Sequence, residues 1–162
     1  MSSFSYSLEQ LATFCGAKFK GVDSKTLISQ LIIDSRKAKD FSAHLFIAIK
    51  GSRNDGHNFI KGLYKRGCRN FLISQTNFNM SDCPEGNFLI TPNSLYAFQD
   101  LAQNHRLQFN LPVIGITGSN GKTIVKEWLN SCLEKAYNTC KSPKSYNSQI
   151  GVSLSIMGLK QS

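Results

Sequence analysis

The chain is predicted to be α/β, with a small α/β domain over residues 1–109 followed by the start of a mostly parallel-sheet P-loop domain over 110–162. Three observations carry that prediction. Short runs of branched and aromatic residues alternate with stretches of helical periodicity, the pattern of strands covered by helices. The run Val113-Ile-Gly-Ile116 leads straight into a glycine-rich turn and then a helical face. Finally, 162 residues are enough for one domain or two small ones without disulfide or metal staples.

The elements follow in order. Ser7-Leu-Glu-Gln10 has the spacing of a capping box, and Leu11 and Phe14 continue a short helix that stops at Gly16. Ile28 to Ile33 and Leu45-Phe-Ile-Ala-Ile49 are rich in branched residues and read as strands, with Asp34-Ser-Arg36 between them. A helix is expected from about His57 to Arg66, then two short buried strands at Phe71-Leu-Ile73 and Phe88-Leu-Ile90. Asn93 can cap a helix that places Leu95, Phe98, Leu101 and Ala102 on one face and ends before Leu111-Pro112. That helix is the expected connector. Val113 to Ile116 should form a short buried strand, and the helix after the glycine turn carries Val125, Trp128, Leu129, Cys132 and Leu133 on one side.

Gly115-Ile-Thr-Gly118-Ser-Asn-Gly121-Lys122-Thr123 supplies what a phosphate loop needs. Backbone N–H groups freed by glycine can turn toward phosphate oxygens at the positive end of the following helix. Lys122 then acts as the catalytic point charge on the β- and γ-phosphates, and the Thr123 hydroxyl completes the shell of a Mg²⁺ ion. Gly118, Ser119, Asn120, Gly121, Lys122 and Thr123 are the expected nucleotide-binding residues, with ATP and Mg²⁺ as the cofactors. The usual spelling G-x-x-x-x-G-K-[ST] requires glycine at 116, where the chain has Ile116. The general pattern therefore fails by one position.

Composition narrows the partners. The formal charge of +9 suits an anionic partner, but the basic residues are scattered, with no long block and no aromatic-interleaved RNA-binding signature. Five cysteines, odd in number and widely spaced, show neither a C-x-x-C pair nor a zinc-type cluster, and read as buried or incidental thiols. The start MSSFSYSLEQ lacks a basic region followed by an apolar run, and no stretch is long and apolar enough to span a bilayer. A cytoplasmic location is expected.

The loop variant G-x-x-G-[ST]-x-G-K-[ST], here Gly115 to Thr123, resembles that of the Mur ligases and their folate-polyglutamate relatives. Asp34-Ser-Arg36, Leu45-Phe-Ile-Ala-Ile-Lys-Gly51 and Asp55-Gly-His-Asn-Phe-Ile60 are similar to the uridine-nucleotide domain of the Mur ligases that add the third residue or the final dipeptide. Lys126-Glu127 and Ser145-Tyr-Asn147-Ser-Gln-Ile-Gly151-Val-Ser-Leu154 resemble the dipeptide-adding branch, whose usual segment is N-x-x-I-G-V-P-L. Two positions depart from the family: Ile124 replaces a frequent second threonine, and Ser153 stands where proline is usual. The spelling around Ile124 and Ser142 to Asn147 also resembles a form fused to an alanine racemase.

The resemblance implies an ATP-dependent amide ligase of peptidoglycan precursor synthesis. Its substrates are UDP-N-acetylmuramoyl-tripeptide and D-alanyl-D-alanine, and its intermediate is an acyl phosphate. A monomer without nucleic-acid or membrane partners is the separate expectation for this chain. By the same resemblance Ser35, Arg36 and His57 line the precursor site, with Arg36 pairing with a phosphate, and Asn147 is a substrate- or nucleotide-side amide, counted with them as substrate-binding. Other readings stand beside these: His57 as a helix-start residue, Asp34 as a turn cap, and Asn147 as a loop amide satisfying local backbone. The family's acidic magnesium ligand, modified lysine and dipeptide-binding domain are expected beyond residue 162, so the chain alone should not turn over. The rival functions are the third-residue-adding ligase and a non-catalytic nucleotide- or nucleic-acid-binding module.

Overall fold

The structure is a computed structural model that describes residues 4–36, 41–52, 54–74, 78–143, 146 and 148–160. It begins at the expected capping box. Gln10 N donates to Ser7 Oγ at 3.1 Å and Ser7 N donates to Gln10 Oε1 at 2.9 Å, which starts helix α1 (Leu8–Phe14). Strand β1 (Tyr6–Ser7) precedes it and pairs antiparallel with β3 (Leu27–Ile28).

The main sheet has five strands in the order β2-β7-β6-β5-β4. These are β2 (Lys18–Lys20), β4 (Gln30–Ile32), β5 (His44–Ile47), β6 (Asn70–Ser74) and β7 (Asn87–Thr91). Strands β4 to β7 run parallel, and β2 closes one edge antiparallel to β7. Parallel strands need both faces covered, and the side-chain alternation supplies two cores. Leu45, Ile47, Leu72 and Leu89 face α1 and α3 (Ser94–Leu107), where Leu8, Leu11, Phe98 and Leu101 meet them. Phe46, Ala48, Phe71, Ile73 and Phe88 face the other way, onto Ile60 and Leu63 of α2 (Ile60–Lys65) and onto Phe41.

The single strand expected over 28–33 is two strands. Its halves pair with different partners, β3 with β1 and β4 with β5, and between them Ser29 N and Gln30 N both donate to Ala43 O. Asn93 caps α3 as expected, its Oδ1 accepting from Leu95 N at 2.9 Å and Tyr96 N at 3.2 Å. The strand expected at Val113 to Ile116 is not formed. Residues 109–118 carry no strand pairing, and Val113 and Ile114 are 66% and 60% exposed, because among the described residues no neighbouring strand offers a ladder to this segment.

Helix α4 (Lys122–Leu133) follows the glycine turn as expected, but its apolar side is not buried: Val125 and Trp128 are exposed. Helix α5 (Gln149–Ile156), capped by Ser148 Oγ accepting from Gly151 N, returns to the first core. There Ile150, Leu154 and Met157 pack with the α1/α3 cluster. Cys15, Cys68 and Cys83 are buried free thiols, and burial pushes Cys15 up to about 12 and Cys68 to about 11. Among the described residues no helix is long and apolar enough to cross a membrane, and no group of His, Cys, Asp or Glu could hold a metal ion.

Candidate functional site

In parallel α/β sheets, groups that bind ligands gather where strands end at their carboxyl edge. Strand β4 runs out into Asp34-Ser-Arg36, β5 into the loop from Lys50 to His57, and β6 ends at Ser74. Three of the four expected precursor-site residues therefore stand along one edge of adjacent strands. The fourth, Asn147, lies outside the described residues.

The Asp34–Arg36 turn is folded on itself. Asp34 Oδ1 accepts from Arg36 N at 3.1 Å and from Arg36 Nε at 2.9 Å, while Oδ2 accepts from Nη2 at 2.9 Å. The Arg36 side chain is 86% exposed, so it presents a planar, solvent-facing cation at the strand edge. Asp34 thus acts as the turn cap. Ser35 offers its carbonyl to Arg66 Nη1 at 2.7 Å, a contact between residues 31 apart that no local sequence signal announces.

His57 sits differently, with only 7% of its surface exposed. Its Nδ1 lies 2.5 Å from Asp55 Oδ1, and its Nε2 accepts from Ser74 N and faces Ser74 Oγ, both at 3.1 Å. Asp55 Oδ1 also accepts from His57 N at 2.9 Å, which starts a short 3₁₀ turn over Gly56–Phe59. Both ring nitrogens are therefore committed, and His57 pins the loop after β5 to the end of β6 instead of reaching into solvent for a ligand. Burial opposes the charge on Asp55, but the amide and ring of His57, with Lys50 nearby, outweigh it and hold the carboxyl below its usual value. Gly56 is required here for space: a β-carbon would lie 2.7 Å from Ile49 N and 2.9 Å from Ala48 Cα.

The glycine-rich turn expected to hold phosphate stands on the second segment. Gly118 and Gly121 have φ of 151° and 78°, values that side-chain-bearing residues rarely adopt. A β-carbon at Gly121 would meet nothing within 4 Å, so backbone conformation rather than crowding demands glycine in the free loop. Gly121 occupies the N-cap of α4 without a side-chain cap, and the first intrahelical bond there is Val125 N to Gly121 O at 3.0 Å. The amides of Lys122, Thr123 and Ile124 therefore remain as donors at the positive end of a 12-residue helix. Lys122 Nζ donates to Gly118 O and, at 3.3 Å, to Ser119 O, so its ammonium lies over the loop. Ser119 and Asn120 are exposed and Thr123 is half-buried. This donor set fits a polyphosphate with a hydroxyl beside it for a metal ion.

An ion chain extends from the same helix. Lys126 Nζ donates to Ser142 O at 2.8 Å and lies 3.2 Å from Glu127, whose other oxygen is 2.5 Å from Lys141 Nζ. Lys141 and Lys126 hold the Glu127 carboxyl below its usual range. The chain ties residues 141–142 to α4 on the approach to α5. Among the described residues no hydrogen bond or ion pair joins the phosphate loop to the edge that carries Arg36 and His57.

The sequence profile of the Mur ligase middle domain matches residues 116–162. A curated UDP-N-acetylmuramoyl-tripeptide–D-alanyl-D-alanine ligase of Buchnera aphidicola is 34% identical over 157 residues, covering 97% of this chain and 32% of that protein. The enzyme of the same name from Escherichia coli is 32% identical over 155 residues, 96% of this chain and 32% of that protein. The chain spans about a third of the length of the curated relatives it matches. Among solved structures, MurF from Acinetobacter baumannii superposes with a TM-score of 0.88 at 28% identity, over 99% of this chain and 34% of that one. The MurF ligase of Thermotoga maritima in complex with ADP superposes with a TM-score of 0.67 at 28% identity, over 79% of this chain and 28% of that one.

Proposed function

We propose, for a chain that belongs to the Mur ligase family, that it is the precursor-holding and nucleotide-holding part of an ATP-dependent ligase joining D-alanyl-D-alanine to UDP-N-acetylmuramoyl-tripeptide. Residues 1–109 form the precursor domain, and residues 110–162 begin the ATP-binding domain. The observation that carries this reading is the pairing on one chain of an uncapped helix N-terminus behind two positive-φ glycines and a strand edge that presents Arg36. The relatives whose names state this activity support the choice of the dipeptide-adding branch over the third-residue-adding one.

The chemistry follows from the weakness of a carboxylate as an electrophile. Transfer of the γ-phosphoryl group to the precursor's terminal carboxylate gives an acyl phosphate and ADP. The amine of D-alanyl-D-alanine then attacks the acyl carbon, forming the amide and expelling phosphate. Phosphoryl transfer of this kind needs positioning and charge neutralisation above all. The α4 amides and Lys122 supply both on the nucleotide side, with Lys122 releasing the loop carbonyls to meet the phosphates. The Thr123 hydroxyl would hold a Mg²⁺ ion, which would supply further neutralisation of the phosphate charge. On the precursor side Arg36 exchanges its Asp34 pairing for a diphosphate oxygen, Ser35 and Asn147 contribute polar contacts, and His57 keeps the adjoining loop in place.

The protein acts in the cytoplasm as a monomer, without nucleic-acid or membrane partners. Calorimetric titration with UDP-N-acetylmuramoyl-tripeptide, and separately with UDP and Mg-ATP, tests the reading, because a ligand specific for the folded state also raises its apparent stability. Binding of the UDP ligands that Arg36→Ala abolishes is the expected result. A folded chain that ignores these ligands while binding nucleic acid in a salt-dependent manner would overturn it.

A further inference from the structure

One side chain touches both the Ser35–Arg36 turn and Phe41. Arg66 Nη1 donates to Ser35 O at 2.7 Å, and the same guanidinium lies 5.2 Å over the ring of Phe41. Phe41 is 5% exposed and belongs to the α2-side core, so it is a fixed surface for the guanidinium. The turn itself follows β4 and carries the Asp34 fork on Arg36. Arg66 bridges the two.

Its own footing is rigid. Arg66 is the C-cap of α2, its N–H directed at Gly62 O and Leu63 O, and α2 is fixed to the sheet through Ile60 and Leu63, which are 0% and 1% exposed. Immediately before α2, His57 is locked between Asp55 and Ser74. The helix is therefore a strut with the loop after β5 at one end and the Ser35 carbonyl at the other. A guanidinium suits this duty because one planar group can stack on a ring and donate in its own plane at once, which an ammonium does not do.

We infer that Arg66 is a positioning residue for the precursor: it holds the Ser35–Arg36 turn in the shape that receives the uridine-diphosphate group, and it sets that turn against the loop pinned by His57. The inference rests on the precursor-site reading given above. Without Arg66 the Ser35–Arg36 peptide keeps only the bond from Arg36 N to Asp34 Oδ1 and loses the one on its carbonyl, so the Arg36 fork is aimed from a looser base.

The test compares the unaltered chain with Arg66→Ala, Arg66→Lys and Arg36→Ala, by calorimetric titration with UDP-N-acetylmuramoyl-tripeptide well below each variant's unfolding temperature. Amide hydrogen exchange is followed alongside. Arg66→Ala is expected to bind about tenfold more weakly, equivalent to about 1.4 kcal/mol, with Arg66→Lys recovering part of the loss. The Arg36 amide, bonded to Asp34 Oδ1, should exchange faster in Arg66→Ala while amides of β5, β6 and β7 keep their protection. If Arg66→Ala fails to fold, Arg66→Gln, which retains an N–H donor, carries the same comparison. Unchanged affinity in Arg66→Ala while Arg36→Ala abolishes binding overturns this inference and leaves the precursor site standing. A uniform loss of protection across the sheet also overturns it, since that marks a merely structural residue. An unaltered chain that binds no UDP ligand overturns the precursor-site reading itself.

Discussion

At Asn87 a single carboxamide joins the turn after β2 to the neighbouring strand β6. Its Oδ1 accepts from Val22 N at 2.9 Å and Asp23 N at 3.0 Å, its Nδ2 donates to Asn70 Oδ1 at 3.0 Å, and Asn70 Nδ2 passes the chain on to His44 O at 3.0 Å. Asn70 and Asn87 are 2% and 5% exposed, so replacing Asn87 by Ala leaves Asn70 Oδ1 without its donor at a place that water reaches poorly. The expected cost is about 1–3 kcal/mol, read as a lower urea midpoint with an unchanged slope; a midpoint within error of the parent's would show that the ladder is dispensable. Lys122 is the opposite kind of residue, because its ammonium meets only loop carbonyls at the surface. Lys122→Ala should leave the urea midpoint where it is and remove Mg-ATP binding in a calorimetric titration. Retained ATP affinity in that variant would take Lys122 out of the nucleotide site.

Among the elements, α1 depends most plainly on one local device. Its seven residues are too few to hold a helix by propagation alone, and the reciprocal Ser7–Gln10 bonds satisfy two of its orphan amides. Ser7→Ala should lower stability by about 1 kcal/mol, measured by thermal or urea unfolding, and no change would mean that packing of Leu8 and Leu11 alone forms the helix. This cap was legible in the sequence, as were the Asn93 cap, the buried β5, β6 and β7, and the glycine turn that leads into α4, because each is specified by residues close together in the chain. Strand β2 was not legible: Lys18-Phe-Lys20 has one apolar residue and is drawn into the sheet only by its pairing with β7. The converse holds at Val113 to Ile116, where branched residues favour a strand but, among the described residues, no partner ladder reaches them. In the proposed site, the turn at Ser35 and Arg36 and the glycine-rich turn before α4 follow short local patterns. The Arg66 strut and the Ser74 partner of His57 do not, since they act across 31 and 17 residues respectively.

At the scale of the whole molecule, one buried histidine joins the first unit to the segment that follows the phosphate loop. His105, in the last turn of α3, is 1% exposed. Its Nδ1 faces the Tyr6 hydroxyl from β1 at 2.8 Å, and its Nε2 faces Leu159 O, just beyond α5, at 3.3 Å. The rings of Phe4, Tyr6 and Phe109 enclose it, and none of these contacts carries a charge to offset a protonated imidazole. Both bonds are met by the neutral ring, with Nε2 donating to the carbonyl and Nδ1 accepting from the phenol. Desolvation accordingly lowers the His105 pKa, with the Leu159 carbonyl opposing it more weakly. A folded state whose histidine titrates below the ordinary value of about 6.5 binds fewer protons than the unfolded chain in the interval between the two values. Stability therefore rises with pH through that interval: the contribution is complete above about 6.5 and is lost progressively as pH falls below it. Asp55, held below its usual value, loses its own contribution only in the carboxylate range, well under this window. Urea midpoints measured from pH 7.5 down to 5 should decline for the parent chain. In His105→Gln, which keeps an amide to bridge Tyr6 and Leu159 without titrating, the midpoint at pH 7.5 should be lower and the decline shallower. An identical slope in the two proteins would show that the junction between β1, α3 and the end of α5 does not sense protons through His105.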